Sequence, residues 1–195
     1  MDFPIYELTI NEKEQDAAEV SFVALVDAPA IKRDFLAFRE PQKFEVVSED
    51  RRIITGPLMV PEQLIYRNSE KFGEHYVKFS SDTIQQIAIK FHKKGFQRNV
   101  NLMHDEGLQV EGVTMFESFI TDSSRGINAP AAFSDLPAGT WFGSFAVEND
   151  EVWQLIKAGQ VKGFSVEGLF DYEKPGKDEA EQALAALKNI LAKIQ

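Results

Sequence analysis

Short, strand-length segments separated by turn residues run along most of this chain and leave room for few helices. Residues 4–10 alternate in polarity, and residues 19–26 form an apolar strand ended by Asp27-Ala28-Pro29. A strand over 52–55 meets a Gly56-Pro57 turn. Residues 64–67 and 75–79 read as a hairpin joined by the turn-rich stretch 68–73. In the second half, 99–104 is a short strand followed by a turn at Asp105-Glu106-Gly107. Residues 108–122 make one bent strand or two, 123–137 form a loop, and 140–147 and 161–172 are further strands.

Helical spacing is confined to three places. Ile84, Ile87, Ala88 and Phe91 recur on one helix face, with Ser80, Ser81 or Asp82 as the cap. Lys93 and Lys94 suit that helix's negative end, and Gly95 suits the position just past it. A second helix carries Val152, Trp153 and Ile156, capped by Asn149 or Asp150 and ended by Gly159. After the breaker Lys174-Pro175-Gly176, residues 177–195 read as a terminal helix. There Ala180, Leu184, Leu187, Leu191 and Ile194 make a two-heptad seam, suited to docking on the chain's own domain or to linking a partner or helical region. The pattern is that of an α+β protein, with one domain over 1–174 and an appended helix over 175–195.

Composition narrows the function. The 195 residues are 44% hydrophobic and include 16 Phe, enough for a sizeable core. The absence of Cys removes thiol catalysis, disulfides and cysteine-based zinc sites. Net charge is -10, and no cluster of Lys and Arg exceeds a pair, so no nucleic-acid partner is expected. No apolar run approaches the roughly 18 residues of a membrane span, so no membrane partner is expected either. Residues 1–14 are acidic and mixed, unlike a signal peptide. The three His (His75, His92, His104) have no metal-ligand spacing, and no phosphate-cradling glycine loop, nucleophile elbow or HExxH motif occurs. No metal and no cofactor is therefore expected.

Two segments carry chemistry. In Gly163-Phe164-Ser165-Val166-Glu167-Gly168, strand alternation puts Phe164 and Val166 on one face and Ser165 and Glu167 on the other. The flanking glycines leave room for another backbone or a substrate. In Asn99-Val100-Asn101-Leu102-Met103-His104-Asp105, a continuous strand would put His104 on the face of Val100 and Leu102. A serine hydroxyl is inert until a base takes its proton, and imidazole suits that task. Ser165 with His104 is accordingly the leading nucleophile–base pair.

Six segments resemble, in order and spacing, the bacteriophage prohead serine proteases, in particular the XkdF-like group. They are Val23-Ala24-Leu25-Val26-Asp27-Ala28-Pro29-Ala30-Ile31, Gly56-Pro57-Leu58-Met59-Val60-Pro61, the Asn99–Asp105 run, Phe116-Glu117-Ser118, Gly139-Thr140-Trp141-Phe142, and the strand ending Gly163-Phe164-Ser165-Val166-Glu167-Gly168. The resemblance covers about residues 4–173. It implies a small β-barrel with peripheral helices, related to the herpesvirus protease assemblin. It also implies a serine endopeptidase with Ser165 as nucleophile and His104 as general base. The implied substrates are scaffold and major capsid proteins, and the chain itself, during capsid maturation. The implied setting is the host cytoplasm, inside the phage procapsid, and a homo-oligomer is compatible with it. A catalytically silent structural or scaffold-associated protein on the same fold is the alternative.

The residue that orients the imidazole is left open. Glu167 shares a face with Ser165, roughly 6.6 Å along the strand. Glu117 and Glu148 are alternatives, and a dyad with no third member is another.

Overall fold

A computed structural model describes residues 3–10, 19–26 and 42–173. The expected helix over 177–195 lies outside the described residues. In chain order the strands of the first half are β1 Ile5–Thr9, β2 Val20–Val26, β3 Gln42–Lys43, β4 Glu45–Ser48, β5 Ile53–Met59, β6 Ile65–Ser69 and β7 Gly73–Lys78. Helix α1 Ser81–Lys93 precedes β8 Val100–Leu102, β9 Asp105–Gln109, β10 Val113–Ile120 and β11 Trp141–Val147. Helix α2 Asp150–Lys157 then leads to β12 Gly163–Gly168 and β13 Asp171–Glu173.

The strands form three open sheets, ordered β13-β1-β7-β6, β10-β11-β5-β4 and β3-β12-β2-β8-β9. The α+β reading holds, but the described strands do not close into the expected barrel. The physical reason is visible at the crossings. The chain from β3 to β4 leaves one sheet for another, and the two sheets face each other across aromatic side chains instead of sharing a ladder. Phe164 of β12 packs on Phe145 of β11 at 4.7 Å and on Phe44 at 5.2 Å between ring centroids.

Gly56-Pro57 does not turn the chain. Both residues lie inside β5, where Pro57 pairs with Phe142 next to a register shift between Trp141 and Phe142. A bulge of that kind accommodates the missing proline N–H. Gly56 is needed because a Cβ there would lie 2.9 Å from Lys43 O and Phe44 Cα, where the β3–β4 segment crosses.

Both described helices follow their sequence signals. Ser80 Oγ accepts from Thr83 N and Gly95 lies just beyond α1 at φ 76°. Asn149 Oδ1 accepts from Val152 N, and Gly159 beyond α2 has φ 67°. The β6–β7 hairpin forms as expected. The stretch 108–122 contains the end of one strand and all of the next, separated by a turn with Gly112 at φ 75°.

The central strand of the candidate site is β12. It pairs antiparallel with β2 along its length, and Phe164 and Val166 are fully buried in the core. Burying each such side chain stabilises by roughly 1.5–3 kcal/mol. A one-residue slip would turn Ser165 and Glu167 into that core and both apolar residues out of it. The apolar face thereby fixes where the hydroxyl points.

Candidate active site

Register brings the chemistry-bearing residues together. Ser165 of β12 pairs with Ala24 of β2, and Ala24 pairs with Asn101 of β8. Directly paired residues share a face, so Ser165, Ala24 and Asn101 form one row, with Glu167 two residues along on the same side. Across the sheet, Val23, Leu25, Val100, Phe164 and Val166 supply the core face. Ala24 is fully buried and small. It leaves space above β2 for longer side chains to meet over it.

His104 reaches this face from a turn, not from a strand. Strand β8 ends at Leu102, Leu102 pairs with Asp105, and Met103 and His104 make the turn with φ 54° and 59°. Two successive positive φ values mark the tight hairpin turn that usually takes Asn-Gly. This replaces the expected turn at Asp105-Glu106-Gly107, since Asp105 already begins β9. It also corrects the expected face: the strand ends before His104, and the left-handed turn carries the ring to the side of Asn101. Met103 N donates to Leu25 O at 3.0 Å and ties the turn to β2.

The imidazole Nδ1 lies 2.7 Å from Glu167 Oε1, and both side chains are buried. A carboxylate only accepts, so Nδ1 carries the proton and, in the neutral ring, Nε2 is the basic nitrogen. Asn101 Nδ2 donates to the same Glu167 oxygen at 2.9 Å. Ser165 is 0% exposed, and its Oγ makes no hydrogen bond among the described residues.

The other carboxylates go elsewhere. Glu117 Oε2 accepts from Ser144 Oγ at 2.6 Å, and Ser144 accepts from Thr55, all within the β10-β11-β5-β4 sheet. Glu148 is exposed beyond β11, and Asp105 is exposed in β9. The remaining histidines are tied to backbone. His75 Nδ1 donates to Gly73 O among the rings of Tyr6, Phe72 and Tyr172, and His92 Nδ1 donates to Ala88 O one helical turn back. Asn101 was not singled out from the sequence. Its signal was present as a polar residue alternating with the apolar Val100 and Leu102.

Gly168 also has a local reason. A Cβ there would lie 2.1 Å from Glu19 O, and Leu169 N donates to that carbonyl at 3.0 Å. The backbone that the glycine admits is the chain's own, at the start of β2.

A hydroxyl, an imidazole and a carboxylate on one face are the parts of a serine acyl-transfer site. The model of the family described as "Putative phage serine protease XkdF" matches residues 42–173, more than half of the chain, and the chain belongs to that family. It is 25% identical over 187 residues to the phage-like element PBSX protein XkdF of Bacillus subtilis (strain 168). That match takes in 92% of this chain and 63% of the relative, so the chain spans less than two thirds of the relative's length. No solved structure matches this chain.

Proposed function

We propose that this chain is a serine endopeptidase of phage capsid maturation, with Ser165 as nucleophile, His104 as general base and Glu167 as the orienting carboxylate. The observation that carries the reading is the His104 Nδ1–Glu167 Oε1 hydrogen bond on the face that bears Ser165. In this scheme Ser165 Oγ attacks the scissile carbonyl as its proton passes to His104 Nε2. Glu167 stabilises the imidazolium, which then gives the proton to the leaving amine. Water, deprotonated by the same ring, hydrolyses the acyl-enzyme and returns Ser165.

Scaffold and major capsid proteins are the proposed substrates, together with the chain itself, and the proposed setting is the procapsid in the host cytoplasm. Residues 1–174 would form the protease unit and 175–195 a helical link toward a scaffold region, compatible with a homo-oligomer. A fully buried Ser165 cannot touch a peptide, so the site must open before it acts.

The same burial, with an Oγ that makes no hydrogen bond among the described residues, favours a second reading: a silent structural protein on this fold. One experiment separates the two. The full chain is co-expressed with phage scaffold and major capsid proteins as candidate substrates, and products are followed by mass spectrometry. Cleavage that stops in both Ser165→Ala and His104→Ala supports the protease. Cleavage that persists in Ser165→Ala, with host proteases excluded, or no cleavage in any chain, overturns it.

A further inference from the structure

We infer that Asn101 is a positioning residue of this site, acting through Glu167 to set the direction of His104. The activity part of this inference rests on the protease reading above, while the geometric part does not.

Asn101 lies in the middle of the three-residue strand β8, fully buried, in the row that holds Ser165. Its amide crosses above the small Ala24 to reach Glu167 Oε1 at 2.9 Å. The same oxygen takes His104 Nδ1 at 2.7 Å. One carboxylate oxygen thus holds two donors that come from one short hairpin, from β8 and from the turn after it. Two donors on one oxygen hold the carboxylate better than either alone. Without Asn101 the carboxylate loses one of the donors that hold the oxygen facing His104. The hydrogen bond that sets the direction of the imidazole would then be less firmly placed.

A purely structural role fits the residue poorly. Asn101 Oδ1 is buried and makes no hydrogen bond among the described residues. An unmet buried acceptor is a standing penalty that an apolar side chain of similar size would avoid. The chain accepts that penalty at a position from which the amide reaches Glu167. The orientation of the amide follows from chemistry as well, because a carboxylate can only accept and must therefore face Nδ2.

The test uses Asn101→Leu, with Asn101→Ala as the second variant should the larger side chain disturb folding. Thermal melting shows that each is folded. The first readout is the rate at which a fluorophosphonate labels Ser165; there Oγ forms the bond to phosphorus, fluoride leaves, and the hydroxyl proton passes to His104. The rate should fall about tenfold to a hundredfold, the scale typical when a group that orients a reactive side chain is lost. In a Glu167→Ala background, where the acceptor through which Asn101 acts is gone, the same change should cost less than about threefold, since groups acting as a unit are not additive. The second readout is the proton on His104 Nδ1, seen by NMR of chain carrying 15N-labelled histidine. Its resonance should be sharp and protected in the parent chain, and shifted and broadened by exchange in the variants. An unchanged resonance together with an unchanged labelling rate would overturn the inference. If the parent chain fails to label, the buried Ser165 has stayed closed to the reagent, and the Nδ1 resonance alone then decides the role of Asn101, an unchanged resonance overturning it.

Discussion

Replacing Glu167 by Gln separates charge from geometry more cleanly than any other change at this site. The glutamine carbonyl can accept the same two hydrogen bonds, from His104 Nδ1 at 2.7 Å and Asn101 Nδ2 at 2.9 Å. What disappears is a negative charge beside an imidazole that must become a cation in the transition state. With charge centres about 4 Å apart and an effective dielectric of about 20, that attraction is about 4 kcal/mol. At about 1.4 kcal/mol per tenfold, the predicted loss of rate is about a thousandfold. Stability should move the other way or not at all. A carboxylate that is only 4% exposed is expensive to bury, and a neutral amide in its place is less so. The melting temperature of Glu167→Gln should therefore be no lower than that of the parent. Two measurements suffice: the fluorophosphonate labelling rate and a thermal melt on the same preparations. Labelling within tenfold of the parent rate would refute the electrostatic role, and a melting temperature several degrees lower would show that the charge is needed for folding.

Two further outcomes follow from buried polar atoms that make no hydrogen bond among the described residues. Ser165→Ala should abolish labelling and cleavage without lowering the melting temperature, because its buried Oγ makes no hydrogen bond among the described residues; a drop of several degrees in a melt would contradict this. Arg67 points from β6 toward the aromatic cluster around His75, with Nε and Nη2 buried and without hydrogen bonds among the described residues. Burial lowers its pKa to about 10, so at neutral pH the guanidinium remains charged at a cost. Arg67→Met should raise the urea midpoint, by about 1 kcal/mol of stability, and a fall of that size would show that the Nη1 bond to Tyr66 O outweighs the burial.

The apolar periodicities were legible because they follow directly from burial. The spacing in α1 and α2, their caps, and the alternation that puts Phe164 and Val166 opposite Ser165 and Glu167 all appear as read. Sheet closure was not legible, since nothing local states whether strands joined by register also meet at the edges. Gly56-Pro57 misled for a related reason: the pair is a turn signal by propensity, and only the backbone crossing at Lys43 and Phe44 explains it inside a strand. At the site, the placement of His104 was obscured by the turn itself. Met103-His104 carries none of the residues that usually announce two positive φ values, so the strand was read through it.

That turn leads to the last prediction, on how the base is held. Asn or Gly in left-handed backbone costs little, whereas a long side chain there costs of order 1–3 kcal/mol. Both turn residues incur that penalty here, at φ 54° and 59°. For His104 the penalty comes with a use, because the left-handed conformation aims the ring at Glu167 instead of at the core face. For Met103 the side chain is 38% exposed, and the contact that ties the turn to β2 is made by its backbone N–H. Met103→Gly should therefore keep the hydrogen bond to Leu25 O, keep His104 in place and stabilise the chain by about 0.5–1 kcal/mol, less whatever the half-exposed methionine contributes by packing. Urea unfolding measures the stability, and the His104 Nδ1 resonance reports whether the ring still meets Glu167. A loss of more than about 1 kcal/mol would show that the methionine side chain, not the turn backbone, holds the hairpin in register. A gain in stability with a lost Nδ1 resonance would show that rigidity at position 103 is what keeps the imidazole on the catalytic face.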